Sequence, residues 1–211
     1  MYHVQSFHES DPQALRSIIA AHPLSTLITL DTEGLNANLI PLMWFDDGSE
    51  HGVLRGHVAR ANPLWQNFSK EIDTLAVFQG PTAYISPSWY ATKAETHKVV
   101  PTYNYVTVQA YGALTVHDDA AWVLAQITAL TNSQEQRFAE PWHVSDAPED
   151  YVAQNMRVIV GIELKIHRLT GKWKVSQNQP ASNQRTVHNH LKTEGDMAMA
   201  ACVHARFKDE A

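Results

Sequence analysis

The chain has 211 residues, with 16 basic and 22 acidic side chains and a formal net charge of −6. Hydrophobic residues make up 44% and charged ones 18%, which is enough apolar material for a sizeable core and excludes wholesale disorder. There is no basic surplus to grip a phosphate backbone, no apolar run of about 18 residues to span a bilayer, and one cysteine, Cys202, which excludes an internal disulfide or a Cys-based metal centre. The start, MYHVQSFHES, lacks the basic and apolar regions of a signal peptide, so a soluble cytoplasmic protein is expected.

In chain order, Asp11-Pro12 predicts a helix start, with Asp as N-cap, running to about Ala21 and stopping at His22-Pro23. Strand patterns follow at Leu24 to Leu30 and Leu35 to Phe45, then a turn at Asp46-Asp-Gly48 and a returning strand from His51 to Val58. Asn62-Pro63 opens a short helix. Thr74 to Gln79 and Ala83 to Ile85 are expected as two strands split by Gly80-Pro81.

The strongest period-2 alternation lies at Val106, Val108, Ala110, Leu114 and Val116, and again at Val158, Val160, Ile162, Leu164 and Ile166, with Glu163, Lys165 and His167 opposite. A helix of about 20 residues with Val123, Ile127 and Leu130 at helical spacing lies between them. Asp146-Ala-Pro-Glu149 predicts a capping box before another short helix. Many antiparallel strands with a few helices predict a mainly β, α+β fold, a closed or partly closed barrel. Residues 1–192 are expected to form this domain, with 193–211 as a helical tail packing on the body or a partner.

No Walker A, GxGxxG, HExxH or GxSxG pattern occurs. Four segments stand out. In Leu54-Arg-Gly-His-Val-Ala-Arg-Ala-Asn-Pro63, a strand end meets a helix start with Arg55, His57 and Arg60 concentrated there. Such a junction suits a terminal phosphate, although on spacing alone a surface Arg pair beside an N-capping Asn is the commoner arrangement. Ala83-Tyr-Ile-Ser-Pro-Ser-Trp-Tyr90 offers a ring-binding wall, a core or a subunit interface. Lys98-Val-Val-Pro-Thr-Tyr-Asn-Tyr105 offers Thr102 and Asn104 as ligand donors, or turn chemistry at a strand entry. Gly171-Lys-Trp-Lys-Val-Ser-Gln-Asn-Gln-Pro180 crowds Lys174, Ser176, Gln177 and Asn178 at a strand's end, or forms a solvated loop.

Together these segments resemble the PaiB family, described as FMN-binding negative transcriptional regulators. The carriers are Gly56-His-Val-Ala-Arg-Ala-Asn-Pro63, Tyr84-Ile-Ser-Pro-Ser-Trp-Tyr90, Val100-Pro-Thr-Tyr-Asn-Tyr105 and Lys174-Val-Ser-Gln-Asn-Gln-Pro180, in that order. The resemblance implies the split β-barrel shared with pyridoxamine-phosphate oxidases and flavin reductases, and a homodimer holding FMN in a groove between subunits. By implication Arg55 and Arg60 meet the phosphate, with His57, Val58, Ala59 and Asn62 beside them. Asn38, Leu39 and Ile40 hydrogen-bond the isoalloxazine edge, and Lys174, Ser176 and Gln177 close the groove. In the oxidase branch a Ser-Arg-Lys stretch contacts the phosphate. Here it reads Ala59-Arg60-Ala61, so only the arginine remains. The regulator label sits beside an acidic charge and no recognisable helix-turn-helix, so direct DNA binding is not expected. The other readings are a reductase using FMN with NAD(P)H, with His57 and Tyr105 as proton-transfer candidates, and a split barrel that has lost FMN and binds another ring.

Twelve histidines are an unusual number, and protonating all of them would carry the net charge from −6 to +6. Only His57 falls in a motif that the resemblance marks as functional. His188-Asn-His190 is the one close pair, on a segment that looks helical, where residues two apart diverge. No metal site is expected.

Overall fold

The computed structural model describes residues 1–2 and 4–208; His3 and the last three residues of the expected tail lie outside the described residues. Eight strands form one hydrogen-bonded system. They are β1 (His8–Glu9), β2 (Leu24–Asp31), β3 (Gly34–Pro41), β4 (Met43–Phe45), β5 (Val53–Ala59), β6 (Thr74–Ile85), β7 (Thr102–His117) and β8 (Ile159–Lys174). The order is β3-β2-β6-β7-β8-β5-β4, with β1 on β8. The pairs β1–β8, β2–β3, β2–β6, β4–β5 and β5–β8 are antiparallel. Six α-helices accompany them: α1 (Pro12–Ala21), α2 (Lys93–Thr96), α3 (Ala120–Glu135), α4 (Glu149–Met156), α5 (Ala181–Thr193) and α6 (Met197–His204). This is the mainly β, α+β class expected. No helix among the described residues is long and apolar enough to cross a membrane.

The residues group into two compact units. A terminal unit comprises Met1–Leu15, Gln79–Val108 and Thr170–Ala211; a central unit comprises Arg16–Phe78 and Gln109–Leu169. In the central unit Ile19, Leu27, Leu42, Leu54, Phe78, Ile162 and Leu164 are buried. In the terminal unit Ile85, Val106, Val108, Val175, Val187, Leu191 and Met199 are buried. Each such side chain contributes about 1.5–3 kcal/mol, so the alternating strands supply much of the driving force.

Several boundaries differ from expectation for local reasons. β6 runs unbroken through Gly80-Pro81. Its pairing with β2 covers only Leu75 to Val77, so Pro81 faces no β2 acceptor there. A Cβ at Gly80 would sit 3.1 Å from the Val106 side chain, so the glycine allows close packing rather than a break. The expected strand from Leu35 to Phe45 divides at Leu42, whose N–H turns to the Pro23 carbonyl at 2.8 Å. β8 continues to Lys174, so Lys172 and Lys174 lie on a strand and not in a loop. Asp146 does not cap α4. Its carboxylate accepts from the His143 N–H at 2.8 Å and caps a short 3₁₀ turn, Val144–Asp146, instead. In the tail, α6 spans only Met197–His204 and packs against α5, with the His188 ring and the Ala200 carbonyl 3.0 Å apart.

Candidate functional site

In β5, Leu54, Gly56 and Val58 are buried on one face, while Arg55 and His57 share the other. The β5–β8 register sets Arg55 opposite Glu163 and His57 opposite Gly161. Arg55 donates from Nε to Glu163 Oε2 at 2.7 Å, and its guanidinium lies over Phe45 and, at 5.8 Å, Trp122. Trp122 occupies the space that a side chain at 161 would need: a Cβ there would be 2.3 Å from the indole. His117 stacks on this indole, with centroids 4.2 Å apart, and its Nε2 is 3.7 Å from Glu163 Oε1. His57 Nδ1 and Gln126 Oε1 lie 2.8 Å apart. Gln126 is 3% exposed, and its Nε2 has no partner among the described residues. Helix α3 therefore roofs the face of β5 that carries Arg55 and His57.

At the end of β5, Ala59 is exposed and Arg60 turns into a closed network. Arg60 Nη1 and Nη2 donate to the two oxygens of Asp118 at 2.9 and 2.5 Å. Nε donates to the Arg157 carbonyl at 2.9 Å, and Nη2 also to the Ile159 carbonyl at 3.3 Å. The pair perturbs both partners: hydrogen bonding to Asp118 raises the Arg60 pKa, and the same bond lowers that of Asp118. The backbone is spent as well. Arg60 N–H donates to Val158, Asn62 N–H to Ala59, and Leu64 N–H to the Asn62 side chain. The 3₁₀ helix that Asn62 caps spans only Pro63–Trp65.

Asn62 Nδ2 donates to Asn38 Oδ1 at 2.9 Å, and Asn38 Nδ2 to Asn36 Oδ1 at 2.9 Å. This amide chain ties the junction to β3. Along β3, Leu35, Ala37 and Leu39 face outward, Leu35 81% and Leu39 69% exposed, while Ile40 is buried. β3 stands at the end of the strand order, paired among the described residues only with β2 along its whole length. Half of its backbone N–H and C=O groups thus point away from any strand partner.

A flavin mononucleotide brings a planar ring edge rich in donors and acceptors and a phosphate dianion. The free edge of β3 and the Asn amides fit the ring. The Arg60 junction does not fit the phosphate as it stands, because four of the five guanidinium N–H groups already have partners within the chain. Arg55 has no such partners for its terminal N–H groups among the described residues.

Of the residues expected to hold FMN, Asn38, Leu39, Ile40, Arg55, His57, Val58, Ala59, Arg60 and Asn62 fall in the central unit, and Lys174, Ser176 and Gln177 in the terminal unit. There the motifs interlock. The Lys174 ammonium donates to Thr102 Oγ1 and, at 2.7 Å, to the Tyr103 carbonyl. Burial lowers its pKa. Asn104, fully buried, donates to Ser176 Oγ at 2.9 Å, and Ser176 adopts a left-handed φ of 66°. Gln177 folds onto its own turn, accepting from Val175 N–H at 2.8 Å and donating to the Trp173 carbonyl. Lys172 is 8% exposed, donates to the Tyr2 carbonyl at 3.1 Å and lies under the Tyr2 and Tyr105 rings. The Ser86-Pro-Ser-Trp89 segment docks α5: Trp89 stacks on His190, and Thr92 exchanges hydrogen bonds with Asn183. His188 and His190 thus serve different neighbours, and no group of three or more metal-ligating side chains occurs among the described residues.

The sequence did not single out Asp118, Gln126 or His117, nor a cleft of about 1040 Å³ in the central unit. Val123 and Leu124 of α3, Val152 and Met156 of α4, and Ile159 line the cleft, together with Arg60 and Asp118.

Residues 1–168 match the model of a family described as "Putative FMN-binding domain". An uncharacterized protein of Emericella nidulans, AN0679, is 32% identical over 94% of each chain. The protease synthase and sporulation protein PAI 2 of Bacillus subtilis is 28% identical over 92% of this chain and 90% of its own. Among solved structures, the flavocytochrome Anf3 of Azotobacter vinelandii matches with a TM-score of 0.56 at 12% identity, covering 82% of this chain and 72% of that one. That likeness is one of fold, and it agrees with the split-barrel class. The chain belongs to the FMN-binding-domain family that the four ordered motifs resemble, the PaiB family.

Proposed function

We propose that the protein binds FMN as a homodimer, holding the isoalloxazine edge along β3 at Asn38, Leu39 and Ile40. The observation that carries this reading is the unpaired outer edge of β3 in a chain of this family. Backbone groups on a free edge make a rigid, pre-aimed set of donors and acceptors, and Asn62 fixes the Asn38 side chain beside them. Arg55, His57, Val58, Ala59, Arg60 and Asn62 shape the strand end where the phosphate lies. Lys174, Ser176 and Gln177 close the groove. The exposed Leu35 and Leu39 favour a subunit interface, since an uncovered apolar face invites burial. Bound FMN would supply redox chemistry; the protein binds and orients the ring and tunes its electronics.

Purified protein mixed with FMN should retain a flavin absorption spectrum through gel filtration and elute at dimer mass. A colourless protein at micromolar FMN, or a monomer at the same concentration, overturns the corresponding half of the reading.

A further inference from the structure

The arginine that the family resemblance assigns to the phosphate is already occupied by a carboxylate of the same chain. We infer that Asp118 is a specificity-determining residue, filling the Arg60 fork from within so that the flavin phosphate is not read there. This rests on the FMN reading and deepens it.

The geometry is that of a bidentate oxyanion complex. Two parallel N–H groups of Arg60 meet the two Asp118 oxygens at 2.9 and 2.5 Å. The same fork suits two phosphate oxygens equally well. The fork is preset without Asp118, because the Arg157 and Ile159 carbonyls hold Nε and Nη2 from behind. Asp118 has no other hydrogen bond among the described residues and is exposed. The N–H groups of Arg60, Asn62 and Leu64 are used within the chain. A phosphate arriving at Arg60 must displace a carboxylate held at effectively high local concentration, and the net gain is small. The unaltered chain therefore holds flavin mainly through the ring and separates FMN from riboflavin weakly. Removing Asp118 frees a ready fork.

The test measures Kd for FMN and for riboflavin, by flavin fluorescence quenching, on the wild type, Asp118→Ala, Asp118→Asn and the double variant Arg60→Gln/Asp118→Ala. Circular dichroism checks that each is folded. The wild type should bind the two flavins within about threefold of each other, less than 1 kcal/mol of discrimination. Asp118→Ala should favour FMN by about tenfold or more, with riboflavin affinity unchanged. Asp118→Asn should fall between, and the double variant should return to parity. A wild type that already prefers FMN tenfold, with Asp118→Ala leaving that ratio unchanged, overturns the inference while leaving the FMN reading intact; the phosphate is then read by another cation such as Arg55. No binding of either flavin by any folded variant overturns both.

Discussion

The site arginines of the central unit and the strand lysines of the terminal unit are held in opposite ways. In the central unit Arg55 faces Glu163 and Arg60 faces Asp118, each with a carboxylate at hydrogen-bond distance. In the terminal unit the strand lysines Lys172 and Lys174 have no carboxylate partner among the described residues. Tyrosine rings and backbone carbonyls hold them instead. A paired arginine is closed to outside anions and depends on its carboxylate staying ionised. An unpaired buried lysine carries a desolvation cost that ring quadrupoles and carbonyl dipoles offset only in part.

The strongest way to break this comparison is to strip a central carboxylate. Glu163→Ala leaves Arg55 without its partner under Trp122 and should cost about 1–3 kcal/mol in urea unfolding. A loss below about 0.3 kcal/mol would show that Arg55 finds water as readily as Glu163. The converse change in the terminal unit should go the other way. Lys172→Met keeps the length of the side chain and removes its uncompensated charge, so stability should rise by about 1 kcal/mol. A fall of similar size would mean that the Tyr2 carbonyl and the two rings outweigh the desolvation.

Two pH effects sharpen the contrast further. Burial lowers the Lys174 pKa in the folded state below its ordinary 10.5. The unfolded chain therefore binds more protons between those two values, and stability rises as pH climbs through that alkaline window. Lys174→Met should flatten the rise in thermal midpoint against pH. The smallest effect is expected at Asp118. Its folded pKa lies below 3.8, so its contribution is present above 3.8 and fades as pH falls through the lowered value. Asp118→Asn should lower stability slightly at neutral pH and match the wild type at the acid end.

Much of the fold was legible because it rests on local alternation. Val106, Val108 and Ala110, and Val160, Ile162 and Leu164, are buried as their period predicts. The partners of the site residues were not legible, because they lie far away in the chain. Arg55 and Glu163 are 108 residues apart, His57 and Gln126 69, and Arg60 and Asp118 58. No local pattern encodes which carboxylate a cation will meet; only strand register and the seat of α3 decide it. Glu163 was visible as a polar residue on the outer face of β8, but its role required the β5 register. The motif Lys174-Val-Ser-Gln177 looked like a cluster of free donors. Its side chains are instead largely committed to Thr102, Tyr103, Asn104 and their own turn.

Gly161 lets Trp122 lie flat against β8. The missing side chain and the large one fill one volume between them. A mutation at 161 to anything with a Cβ would evict the indole and unroof both His117 and Arg55, and a smaller residue at 122 would leave a hollow over the glycine. A side chain at 161 therefore fits only with a smaller residue at 122, 39 places before it.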